Sequence, residues 1–188
     1  MDTFTAIAVG LGLAAATGFR IFVPLFIASL AANTGHLAVA PGFDWLGSPV
    51  AMIAFGTATL LEVGAYYIPW VDNALDAVTT PAAVIAGMVA SASVLVEVPP
   101  LLKWGVVLIG GGGIAGLMQG ATVALRAKSG LFTGGLANVV VASVELVGAT
   151  ATAILALVAP LVALALVVVL LVMAYRVLRR FAGRRTTS

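Results

Sequence analysis

Apolar residues run almost unbroken through residues 4–32, and five further apolar runs follow at 49–68, 81–96, 104–125, 136–158 and 160–178. Between them the chain turns polar or carries turn chemistry: "NTGHLAVAPGFDWLGSP", "PWVDNALDAVTTP", "EVPPLLK", "RAKSG" and "AP". The runs are continuous and near the ~20 residues that a membrane-spanning helix needs. They lack the strict alternation of barrel strands. The pattern predicts an all-α polytopic membrane protein with about six transmembrane segments.

Two segments have the wrong length. The third is short for a span and must tilt or extend through Pro99. The first is too long, because 30 residues of helix reach ~45 Å against a hydrocarbon core of ~30 Å. Thr17-Gly18 and Pro24 bracket Arg20 there, and both weaken a continuous helix. A break at 18–20 is predicted, with 21–32 forming a second piece that is re-entrant or lies at the interface.

The chain also repeats itself. A shift of 106 lays "GLGLAAATGFRIFVPLFIASLA" (10–31) over "GLMQGATVALRAKSGLFTGGLA" (116–137), with eight of 22 positions identical, Arg20/Arg126 among them. Each half continues to one mid-segment glutamate, Glu62 in "TATLLEVGA" and Glu145 in "VASVELVGA", and then to a proline opening the next segment, Pro81 and Pro160. Three segments per half make the second half enter from the opposite side, so the expected architecture is two inverted three-helix repeats. The division is 1–98, 99–178 and a basic tail 179–188, within one membrane domain, with the first and fourth segments broken or re-entrant. Ala6, Gly10, Ala14 and Gly18 align with Gly112, Gly116, Gly120 and Ala124, a small-residue ridge in each half along which the first and fourth segments are expected to cross.

Composition agrees with lipid as solvent. The chain is 62% hydrophobic and 9% charged, with mean hydropathy +1.20, whereas soluble domains carry about 25% charged residues. Five of the nine basic residues lie in the tail, Arg176, Arg179, Arg180, Arg184 and Arg185, so the net charge of +2 speaks for topology and not for nucleic acid. The tail puts the carboxyl end in the cytoplasm of a bacterial inner membrane, and six spans put the amino end there too. "MDTFTA" lacks the basic start of a secretory signal and reads as a retained helix. The absence of cysteine excludes thiolate and disulfide chemistry.

Charge inside a span costs ~2.5–3.5 kcal/mol at the helix centre and asks for a partner or a cavity. Arg20, Glu62, Arg126 and Glu145 are therefore the candidate substrate- or ion-binding residues, the arginines on opposite sides of the membrane and the glutamates near mid-depth. The arginines can hold an anion, and the glutamates can carry protons. The alternative is structural Arg–Glu pairing. Asn33, Gln119, Asn138 and Ser143 are candidate polar supports. Gly10, Ala14, Gly18, Gly112, Gly116 and Gly120 are assigned to helix packing, and the run Gly110–Gly113 lacks the Lys-Ser/Thr of a phosphate loop. Trp45, Tyr66, Tyr67 and Trp70 read as an interfacial aromatic belt. His36 with Asp44 is a poor metal signal. No nucleophile sits with a base, so no catalytic residue, metal or cofactor is assigned, and no enzyme is expected.

The stretches "TGFRIFVPLFIASLA", "FDWLGSP", "LLEVGAYYIPWVDNALD" and "TPAAVIAG", with "RAKSGLFTGGLANVVVASVE" in the second half, resemble the membrane proteins grouped as domain of unknown function 4126. The resemblance covers nearly the whole chain and implies the fold without a substrate. Phe19 stands where leucine is expected. The sequence thus points to a small transporter or channel for a small anion or anionic lipid headgroup, proton-coupled or not, in contact with the bilayer and able to form a homodimer. The alternative is a scaffold or a subunit of a larger complex.

Overall fold

The computed structural model describes residues 1–68, 71–133 and 137–182. All regular structure among the described residues is helical: α1 (Thr3–Thr17), α2 (Phe22–Asn33), a short 3₁₀ turn (Asp44–Gly47), α3 (Pro49–Tyr66), α4 (Val71–Val94), α5 (Pro100–Gly105), a π-helical stretch (Val106–Gly112), α6 (Gly113–Thr133), α7 (Asn138–Val158) and α8 (Pro160–Ala182). Five helical stretches are long and apolar enough to cross a membrane, that from Pro100 to Gly130 being continuous through α5, the π stretch and α6. Against the expected count of about six, five stretches qualify, and α1 and α2 are shorter apolar helices. Large apolar side chains such as Val50, Leu60, Val144 and Val158 are exposed on the outer faces, as a lipid-solvated helical protein requires.

The predicted break is present. α1 ends at Thr17, and α2 begins at Phe22. Gly18 is needed there because a Cβ would fall 2.4 Å from the Met118 Cβ and 2.6 Å from the Ala115 carbonyl. Pro24 sits in the first turn of α2, where a missing N–H costs nothing. The matching break in the fourth segment is absent, and α6 runs unbroken past Arg126 to Thr133. The sequence explains the difference: Ala124 and Gly130 stand where the first half has Gly18 and Pro24, and alanine favours helix. "RAKSG" is therefore helix and not a loop.

A second correction concerns 71–80. α4 starts at Val71, with Pro81 inside the helix and not at its start. Neighbouring helices let a buried helix keep its proline, and here the Thr80 hydroxyl donates to the Asp76 carbonyl at 2.7 Å in the interrupted turn. Trp70 and residue 136, where the fifth segment was expected to start, lie outside the described residues, as do Arg184 and Arg185.

α1 is the central helix. It is apolar all round, and Leu13, Ala14, Ala15 and Ala16 are wholly enclosed by α4, α6, α7 and α8. The small-residue ridges do not mainly face each other. Gly10 packs on Ser91 and Val94, Gly112 on Met88 and Val84, and Gly116 on Val84, all of α4. Gly120 faces Leu178 of α8, and Gly18 alone of these reaches from the first segment to the fourth. A second close crossing is one the ridges did not include. A Cβ at Gly87 would meet the Ala115 Cβ at 2.5 Å and the Gly111 carbonyl at 2.7 Å, and one at Gly111 would meet the Gly87 carbonyl at 2.8 Å. Gly111→Ala is expected to force α4 off the π stretch and cost about 1–3 kcal/mol. Thermal unfolding in detergent against Gly113→Ala, where a Cβ meets nothing within 4 Å, checks this.

Candidate functional site

The break between α1 and α2 leaves backbone N–H groups that a continuous helix would have bonded. Glu62 of α3 takes two of them, accepting from Ile21 N at 2.8 Å on Oε1 and from Phe22 N at 3.0 Å on Oε2. A carboxylate is suited to that end of a helix, where the peptide dipoles present partial positive charge. Glu62 is thus engaged by backbone, and no ion pair to it is found among the described residues.

The arginines turn the other way. Arg20 Nη2 lies 3.3 Å from Glu145 Oε2, and Arg126 Nη2 lies 3.1 Å from the same oxygen. The two charges expected on opposite sides of the membrane therefore converge on one atom of α7. They can do so because α6 is unbroken and carries Arg126 inward, while the break at Gly18 turns Arg20 toward α7. Arg20 Nη2 also donates to the Ala142 carbonyl at 2.9 Å. Arg126 Nη1 pairs with Asp76 Oδ1 at 3.0 Å. Both arginines are 1% exposed.

Tyr66 completes the cluster. Arg20 Cζ lies 3.9 Å and Arg126 Cζ 4.2 Å from its ring centroid. Its hydroxyl donates to Asp76 Oδ1 at 3.4 Å and shares a hydrogen bond with Thr79 Oγ1 at 3.1 Å. Gln119 Nε2 donates to Thr79 Oγ1 at 3.1 Å. A desolvated cation–π contact is worth about 2 kcal/mol, so the ring stabilises two guanidinium groups that would otherwise repel. Tyr66 is thus buried and not part of an interfacial belt, whereas Trp45 and Tyr67 are exposed.

Of the four expected binding residues, three form the cluster and Glu62 borders it. Among the supports, Gln119 joins it. Ser143 shares a hydrogen bond with Tyr67 at 2.8 Å on the exposed side. Asn33 instead donates to the Gly47 carbonyl at 2.8 Å and ties α2 to the 3₁₀ turn. Asn138 is buried at the start of α7. Tyr66, Asp76 and Thr79 were missed. Tyr66 lies four residues from Glu62 on α3, and Asp76 and Thr79 are three apart on α4, so each pair shares a helix face. That signal was in the sequence once 71–80 is read as helix.

Glu145 also lines a cavity of about 440 Å³ between α6 and α7, with Phe19, Thr122, Leu125, Lys128, Ser129, Val140, Val141 and Val144. Its Oε1 makes no hydrogen bond, and neither do Arg20 Nε and Nη1, although all three are enclosed. The cluster therefore holds two guanidinium groups against two paired carboxylates, Asp76 and Glu145, with unused donors and an unused acceptor.

A family model described as Domain of unknown function (DUF4126) matches residues 7–180. No curated protein and no solved structure matches.

Proposed function

We propose that this chain, which belongs to the DUF4126 family, is a small membrane transporter or channel whose site is the Arg20–Arg126–Glu145 cluster. Its cargo is a small anion or an anionic lipid headgroup, and Glu145 is the group through which protons couple to it. The observation that carries the reading is the position of Glu145: its Oε2 holds both guanidinium groups, and its side chain lines the 440 Å³ cavity. Protonating Glu145 would loosen both arginines at once and free donors for an anion. The protein then works in a bacterial inner membrane with both termini cytoplasmic, as a monomer or a homodimer.

The competing reading is a scaffold or complex subunit with structural pairs. The doubly bonded Glu62 and the Tyr66 stack favour it, since both close the structure tightly. Flux into liposomes separates the two. Under a panel of anions and an imposed proton gradient, Glu145→Gln and Arg126→Gln are expected to abolish flux that the wild type supports. Equal flux from folded wild type and both variants removes the transport reading.

A further inference from the structure

The cavity between α6 and α7 has a shape that the ion-pair cluster does not need. α6 leans on α8 and α4, while Phe19, at the α1–α2 break, packs over Gly148 of α7, where a Cβ would lie 3.7 Å from its ring. Phe19 thus closes the inner end of a slot that runs from Thr122 to Ser129 along α6. Seven helical rises make it about 10 Å long. The walls are Leu125, Val141 and Val144. Val140 and Val144 are 64% and 66% exposed, so the slot opens on the outer apolar face.

Its outer end is different. Lys128, exposed in the last turns of α6, lines it there, where a lysine reaches the headgroup level, while the Ser129 hydroxyl is enclosed. Glu145, the acidic residue in the wall, has its charge held from behind by Arg20 and Arg126 and does not oppose an anion at Lys128.

We propose that this slot is a binding site for an anionic glycerophospholipid of the surrounding bilayer. One acyl chain lies between α6 and α7 with its inner end against Phe19, and the anionic headgroup is held by Lys128. An apolar slot ending in a cation matches part of an acyl chain joined to an anionic headgroup. A free small anion would leave the apolar part of the slot unfilled. This names the ligand class for the cavity of the proposed site, and its test reads occupancy without flux, so failure of transport and failure of lipid binding are separate results.

The test uses the full chain in phosphatidylcholine vesicles containing a small fraction of phosphatidylglycerol or phosphatidylcholine with a photoactivatable acyl chain. Labelled peptides are then mapped. The expected result is label concentrated in 122–129 and 140–145, stronger with phosphatidylglycerol. Lys128→Gln is expected to reduce that headgroup preference about fivefold, as one lysine near an anionic surface should. Val144→Trp fills the slot and is expected to remove most of the label. Val168→Trp, on an exposed position of α8, should not. Label spread evenly over the outer faces of α3, α7 and α8, or label unchanged in folded Val144→Trp, overturns the site. Equal labelling by the two lipids overturns the assignment to an anionic headgroup.

Discussion

Glu145→Ala is expected to destabilise this protein by about 3–5 kcal/mol, the usual cost of removing one partner from a buried ion pair. The loss is large because one oxygen serves two cations. Arg20 keeps the Ala142 carbonyl and the Tyr66 ring but loses its only ion pair among the described residues. Arg126 keeps Asp76. The two guanidinium groups then lie over the same ring with one paired carboxylate between them, buried where screening is weak. Glu145→Gln restores an acceptor but not the charge, so it should recover part of the loss. The diagnostic result is the double substitution. Arg20→Met removes a buried charge together with its need for Glu145, so Arg20→Met with Glu145→Ala should be less destabilised than the two single effects summed. Thermal or denaturant unfolding in detergent supplies the four corners of the cycle. Additive losses would show that Arg20 and Glu145 do not act on each other.

The same substitutions separate the two readings of the cluster. A structural pair needs only charge balance, so the double variant would regain whatever the protein does. A site that exchanges partners needs the groups themselves, so the double variant would fold and stay inactive in flux.

How much of this was legible beforehand differs from residue to residue. The break at 18–21 was readable because glycine, proline and excess length all act locally on one helix. The expected match at Arg126 failed for the same local reason, since the repeat preserves the arginine but not the glycine and proline that break the helix. Asp76 was lost because Pro81 was read as a boundary. In water that is a fair rule, but inside a helical bundle neighbouring groups offset the missing hydrogen bond. Tyr66 was lost to the aromatic-belt rule, which looks at where a residue sits along a segment and not at which face it occupies. The convergence of two arginines on Glu145 could not be read at all. It depends on how α6 and α7 are placed against the α1–α2 break, and no spacing within one segment encodes that. Gly87 shows a related limit. A ridge search finds glycines spaced by four, while a single glycine at a three-helix crossing has no period.

The second large effect is expected at Glu62, and it acts on backbone. Glu62→Ala leaves the Ile21 and Phe22 N–H groups without the acceptors they now have. An unsatisfied buried donor costs about 1–3 kcal/mol. Water does not reach these groups readily, because Ile21 is 5% exposed and Glu62 itself is 8% exposed. The first turn of α2 should therefore fray, and the break should widen toward Arg20. Glu62→Gln keeps one acceptor oxygen on a side chain of the same length and should retain about half of the bonding, without the charge that favours a helix start. Glu62→Asp is too short to reach both N–H groups from α3 and should resemble alanine. Amide hydrogen exchange over residues 21–25 gives the local readout: protection should fall in the order wild type, Gln, then Asp and Ala, while the amides of α8 stay protected. If Glu62→Ala leaves the protection of Ile21 and Phe22 unchanged, the carboxylate is not what holds the start of α2. If α8 loses protection in parallel, the break is instead a folding element of the whole bundle, and Arg20 reaches Glu145 only because Glu62 has first fixed the end of the helix that carries it.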